Sequence, residues 1–225
     1  MRYQVHGLEK TVYCLRLIVS RRSMRPGFTL LEFLIVIGLL SITIGSILLF
    51  LTSVLKGTNQ ANITAEVKQN GQVVLDTLES QIRNGTDAVC INPTNGSFCA
   101  SPTQPTSHIK ILRTNSDPLH IRCISSSGTT QNGRIEIAVS AVDLGTIPAN
   151  FTSITSQDTV SGVSISGVSV PDCNTIFTIV PSSGGVSDPP IVTLSFTVNQ
   201  GVAAASRSDF LASVDFQTTI SLRGY

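Results

Sequence analysis

Between Phe28 and Leu55 the hydrophobic positions run almost without a break, 28 residues in which Glu32 is the only ionisable side chain. A run of that length is enough for a helix to cross a bilayer core of about 30 Å, and the pattern predicts a transmembrane segment. Downstream the apolar positions become periodic. Ile63, Val67, Val74, Leu78 and Ile82 recur mostly at fours, with Gln69, Gln72, Asp76 and Glu79 between them, the spacing of a helix with one apolar face. One helix is therefore expected from Phe28 to about Arg83, roughly 84 Å long at 1.5 Å per residue. Gly71 weakens it by about 1 kcal/mol relative to Ala, and Asn84-Gly85 is its stop.

Beyond residue 85 the period shortens to two, and Gly, Ser, Thr, Asn and Pro punctuate short β-rich runs. "HIKILR" and "LHIRCI" flank the turn-rich "TNSDP" and predict a hairpin. "RIEIAV", "VSGVSISGVSV", "TIFTIV", "IVTLSFTV" and "VDFQTTISL" supply further strands, with loops from Thr94 to Ser107 and from Ser182 to Pro190. The expected fold class is α+β: a long N-terminal helix, half transmembrane and half outer, packed on an antiparallel β-sheet outer domain that buries both apolar faces. The chain accordingly divides into residues 1–27, a basic leader; 28–55, the membrane helix; 56–85, its outer continuation; and 86–225, the β-rich domain.

Charge sets the orientation. Arg16, Arg21, Arg22 and Arg25 precede the apolar run, whereas Lys56, Lys68 and Arg83 are the only cations in the thirty residues after it, a bias that keeps the N-terminus cytoplasmic and the outer domain extracytoplasmic. The apolar core is too long for a secretory signal peptide, whose core is about 7 to 15 residues. A plain signal anchor explains the length and the bias, but neither Pro26-Gly27 directly before the run nor the carboxylate at its fifth residue.

Gly27-Phe28-Thr29-Leu30-Leu31-Glu32 resembles the processing site of the type IV pilin and pseudopilin superfamily. The resemblance implies that prepilin peptidase cuts between Gly27 and Phe28 and methylates the new amine of Phe28. It also implies that the apolar helix remains on the mature subunit, held by membrane lipid before an inner-membrane assembly platform builds it into a filament with other pilin or pseudopilin subunits. Glu32 would then pair with the terminal amine of a neighbouring subunit. The physical setting agrees, because a carboxylate in a membrane helix is costly and usually functional; a bland alternative is a glutamate stabilised by the helix dipole in the first turn. "VVLDTLESQIRNG" and "DFQTTISLRGY" are similar to the helix end and last strand of the larger minor subunits, the W-type minor pilins and J-type pseudopilins. The proline that many major pilins carry in the outer part of the membrane helix is absent, leaving Gly38 and Gly45 as flexible points.

Once Cys14 leaves with the leader, Cys90, Cys99, Cys123 and Cys173 remain. An even number outside the membrane points to disulfides, with three full connectivities open; "CINPTNGSFC" has the turn residues to bring Cys90 and Cys99 together. No metal site and no cofactor is expected, since no cysteine pair has zinc-ligand spacing and His108 and His120 alternate with apolar residues on strands. Hydrolase, metalloprotease, nucleotide-binding and dinucleotide-binding motifs are lacking, so the expectation is a nonenzymatic subunit. Residues 56–225 carry nine Lys plus Arg and twelve Asp plus Glu, a net of minus three, which disfavours general nucleic-acid binding. Lys110, Arg113, Arg122 and Arg134, with His108 and His120, leave open a local basic patch across the hairpin. A membrane-anchored adhesin or DNA-binding tip protein is the alternative function.

Overall fold

The computed structural model describes Gly27, residues 29–142, 145–168, 170–181, 189–206 and 211–223. The expected leader, Phe28 and most of the loop from Ser182 to Pro190 lie outside the described residues. Contacts divide the chain into two units, with the division between Leu49 and Phe50.

Helix α1 runs from Leu30 to Arg83. Thr29 caps it: its Oγ1 accepts from the Glu32 N–H at 3.2 Å, and its carbonyl accepts the first helical bond from Phe33 at 3.1 Å. Thr29 and Glu32 thus occupy the N-cap and N3 places of a capping box. Within the apolar stretch the hydroxyls fold back on the helix itself, Ser41 to the Ile37 carbonyl and Thr43 to that of Leu40, which satisfies polar groups where lipid offers no partner. α1 ends at Asn84-Gly85 as its sequence signals, with the Gly85 N–H bonded to the Ile82 carbonyl at 2.8 Å. The requirement for glycine at 85 is spatial, because a Cβ there would overlap Ile111.

From Ile63 onward α1 packs on β-structure. β1 (Asp87–Cys90), β2 (His108–Leu112), β3 (Leu119–Ile124), β4 (Arg134–Val139) and β5 (Thr152–Ser153) form one antiparallel sheet in chain order. The expected hairpin is β2–β3, its turn passing through Asn115 at φ 61°, a left-handed conformation that Asn tolerates better than most residues. β6 (Val163–Ser166), β7 (Phe177–Val180), β8 (Ile191–Gln200) and β9 (Ser213–Ser221) form a second. Ten-residue β8 takes β6 and β7 end to end along one edge and β9 along its whole other edge.

The outer domain therefore holds two sheets, where the sequence pattern led us to expect one. They are stitched together by reciprocal bonds between Thr106 and Phe177, and by Ile165 N–H to the Gly133 carbonyl at 2.8 Å. These links arise between residues distant in sequence, which strand periodicity does not encode.

A single core lies between these layers. Val67, Val74, Leu78 and Ile82 of α1 meet Ile109, Ile111, Leu119, Ile121 and Ile135 of the first sheet and Phe177, Leu194, Phe196 and Phe216 of the second. Ile63 packs at its margin. Gly71 lies on the same buried stripe, and a Cβ on it would overlap the Phe216 ring. That ring stacks on Phe196 with centroids 5.5 Å apart. Glycine weakens the helix here, but it allows the terminal strand to approach.

Candidate functional site

The residues expected to matter for processing and assembly sit at the start of α1. Gly27 and Glu32 are exposed, and nothing lies near Gly27 where a side chain would project; Phe28 lies outside the described residues. Glu32 is held in the first turn by the cap from Thr29, which places a carboxylate where unpaired helix N–H groups and the dipole favour it. Behind it the side chains are exposed all round, including Leu30, Phe33, Leu40, Leu49 and Phe50. This is the one candidate membrane-spanning helix among the described residues, and it lies near the N-terminus. A helix apolar on every side needs lipid or other apolar helices around it.

All four outer cysteines are paired. Cys90 is bonded to Cys99, closing the turn-rich loop as expected, and Cys123 to Cys173, each pair with Cα atoms 5.5 Å apart. The first bond ties the segment after β1 back along that strand, where the Cys99 N–H also donates to the Cys90 carbonyl. The second joins β3 to the segment before β7. Such bonds persist in oxidising compartments.

The basic residues of the hairpin do not form an exposed patch. All but Arg113, which reaches α1, lie on the face of the first sheet away from α1, where Val142 and Phe151 meet them. His108 and His120 are 1% and 2% exposed, with His108 Nε2 3.3 Å from His120 Nδ1. Phe151 closes over them, its ring edge-on to His108 and flat beneath the Arg122 guanidinium, whose Cζ is 3.7 Å from the ring centroid. Lys110 Nζ donates to the Val142 carbonyl at 3.4 Å, and Arg113 donates to the Gln81 side chain at 2.6 Å. Arg122 and Arg134 converge on Glu136 from its two sides, at 2.7 and 2.6 Å.

Burial dominates the electrostatics of this cluster. It lowers both histidines from 6.5 to about 4, reinforced at His108 by His120 and Arg122 and at His120 by Lys110. Burial pushes the Glu136 carboxyl up, but the hydrogen bonds and charges of Arg134 and Arg122 outweigh it and hold the group below its ordinary value. His108 Nδ1 and His120 Nε2 have no partner. Among the described residues no three His, Cys, Asp or Glu side chains gather as a metal site. The cluster is therefore a neutral imidazole pair beside a paired carboxylate, folded under a loop.

A long apolar N-terminal helix followed by an antiparallel β-sheet domain fits the pilin-like architecture. No family model, curated protein or solved structure matches the chain.

Proposed function

We propose that the chain is a nonenzymatic, membrane-inserted minor pilin or pseudopilin, cut by prepilin peptidase after Gly27 and drawn from the membrane into a thin filament through α1. The carrying observation is the pairing of a helix apolar on all sides with one carboxylate, Glu32, fixed by Thr29 in its first turn. An anchor alone needs the apolar surface but not the charge. In a filament the same surface packs on neighbouring helices, and Glu32 accepts the methylated amine of Phe28 from an adjacent subunit. The disulfide-bonded outer domain suits an extracytoplasmic position. The tip-adhesin or DNA-binding alternative gains nothing from the hairpin cations, which are engaged within the domain.

The deciding experiment is Glu32→Ala at matched membrane levels. Removing a carboxylate from a membrane helix leaves insertion neutral or easier, whereas leaving a buried partner amine unmatched costs on the order of 3 to 5 kcal/mol. The variant is expected to insert and be cleaved normally yet to be poorly recovered with sheared filaments. Equal recovery of variant and wild type would remove the assembly role.

A further inference from the structure

The sheet edges of the outer domain are treated unequally. The outer edge of β1 is covered by the Phe98–Cys99 segment and its disulfide. β5 is two residues long. β6 is bonded along its outer side to Gly133, and β7 to Thr106, after which Pro181 ends the strand. β9 differs from all of these.

Its register places Ala212, Val214, Phe216, Thr218, Ile220 and Leu222 in the hydrogen-bonded pairs with β8, as the flanking bonds Gln200 N–H to Ala212 and Leu222 N–H to Pro190 show. The N–H and C=O groups of Ser213, Asp215, Gln217, Thr219 and Ser221 therefore point away from the sheet. All five residues are exposed, and no backbone group among the described residues meets them. A nine-residue edge without proline, lysine or bulge is the kind that folded proteins normally blunt, because it templates pairing with another chain.

We propose that the β9 edge is a docking site for an extended segment of a different subunit, which adds to the second sheet as one more strand. A second copy of this chain is a poor occupant. Among the described residues its other edges are covered or too short, so it offers only its own β9, and an antiparallel β9–β9 pair has a twofold axis normal to the sheet. That axis would turn the Val67–Ile82 stretches, which pack on the sheets, in opposite directions in the two copies, whereas subunits added one after another to a filament share one direction; this step rests on the function proposed above.

The occupant's chemistry follows from the edge. Its backbone forms the ladder, as in strand addition generally. Alternate side chains on the core side are apolar, extending the half-buried Val214 and Thr218 row. On the solvent side it is polar, with a cation suited to the place opposite Asp215, the strand's single charge.

The test places the photocrosslinker p-benzoylphenylalanine at Asp215, Gln217 and Thr219 in turn, in the full chain, in cells that produce it. The expected products join one segment of one partner protein, with attachment points stepping by two residues as the probe steps by two. A second variant, Gln217→Pro, removes an N–H that β8 does not use, so the domain should keep its melting temperature within a few degrees while crosslinking from Thr219 falls about tenfold. Absent, scattered or β9-to-β9 crosslinks would overturn the proposal, as would full crosslinking in Gln217→Pro. Recovery of the same chain with sheared filaments separately tests the subunit reading: a stepped ladder without filament recovery keeps the docking edge and discards the filament.

Discussion

His108 and His120 meet across β2 and β3 as a buried neutral pair, Nε2 of the first 3.3 Å from Nδ1 of the second. One ring donates and the other accepts, so a second proton on the acceptor would set two N–H groups against each other, and one on the donor would sit on a buried nitrogen without a partner, in both cases beside Lys110 and Arg122. Arg134 and Glu136 complete the charged groups on this face among the described residues, and Asp143 lies outside them.

The pair should make the outer domain acid-sensitive. Its folded values, about 4, lie below the unfolded value near 6.5. Between these limits the unfolded chain holds more protons, and stability falls as the pH falls. The loss from pH 7 to 4 is on the order of 3 kcal/mol for each histidine, and Glu136 adds its own loss below its ordinary 4.5. Urea midpoints measured across this range should slope for the wild type and flatten for His108→Leu/His120→Met. A flat wild-type profile would mean that the imidazoles are not buried neutral.

Gly71→Leu should destabilise the outer domain by about 1 to 3 kcal/mol, the usual cost of overpacking, because the new side chain enters the space of the Phe216 ring. Phe216→Ala in the same chain should recover part of that loss even though it opens a cavity when made alone. A double-mutant cycle by thermal unfolding reads the coupling; additive effects would show that the two residues do not meet.

Thiol labelling of denatured, unreduced outer domain should find Cys90, Cys99, Cys123 and Cys173 all blocked. The sequence separations are 9 and 50 residues, so chain entropy assigns about 2.6 kcal/mol to the first bond and about 4 kcal/mol to the second. Paired Ala substitutions at Cys123 and Cys173 should therefore lower the melting temperature more than those at Cys90 and Cys99.

Coexpression with a prepilin peptidase should yield a chain that begins at a methylated Phe28, and Gly27→Leu should block the cut. Mass spectrometry of the N-terminal peptide decides the matter. An intact leader in the presence of active peptidase would remove the processing step.

Much of this fold could be read from periodicity. The helix from the apolar run to Arg83 and the strands from His108 to Ser221 follow directly from changes of period, because one buried face leaves its spacing in the sequence. β1 and β5 escaped notice, since strands of four and two residues carry too few alternations. Period two puts His108, Lys110, His120 and Arg122 on the face away from α1, which leaves a basic patch there open from sequence alone. What meets that face is Phe151, far along the chain from both strands, and strand spacing carries no sign of it. Gly71 looked like a flaw in the helix until Phe216 supplied its reason.

The contact between Gly71 and Phe216 also sets an order of events during synthesis. Of the described elements α1 leaves the ribosome before every strand and β9 after all the others, yet β9 lies against α1, and the Arg223 N–H bonds to the Gly85 carbonyl at 3.2 Å. The hydrophobic stripe on the outer half of α1 cannot be sealed strand by strand as the chain emerges. It waits for β9, and closing so distant a contact is slow. A nascent chain therefore carries an unsealed core until β9 emerges, and a premature stop anywhere before Ser213 leaves it permanently in that condition.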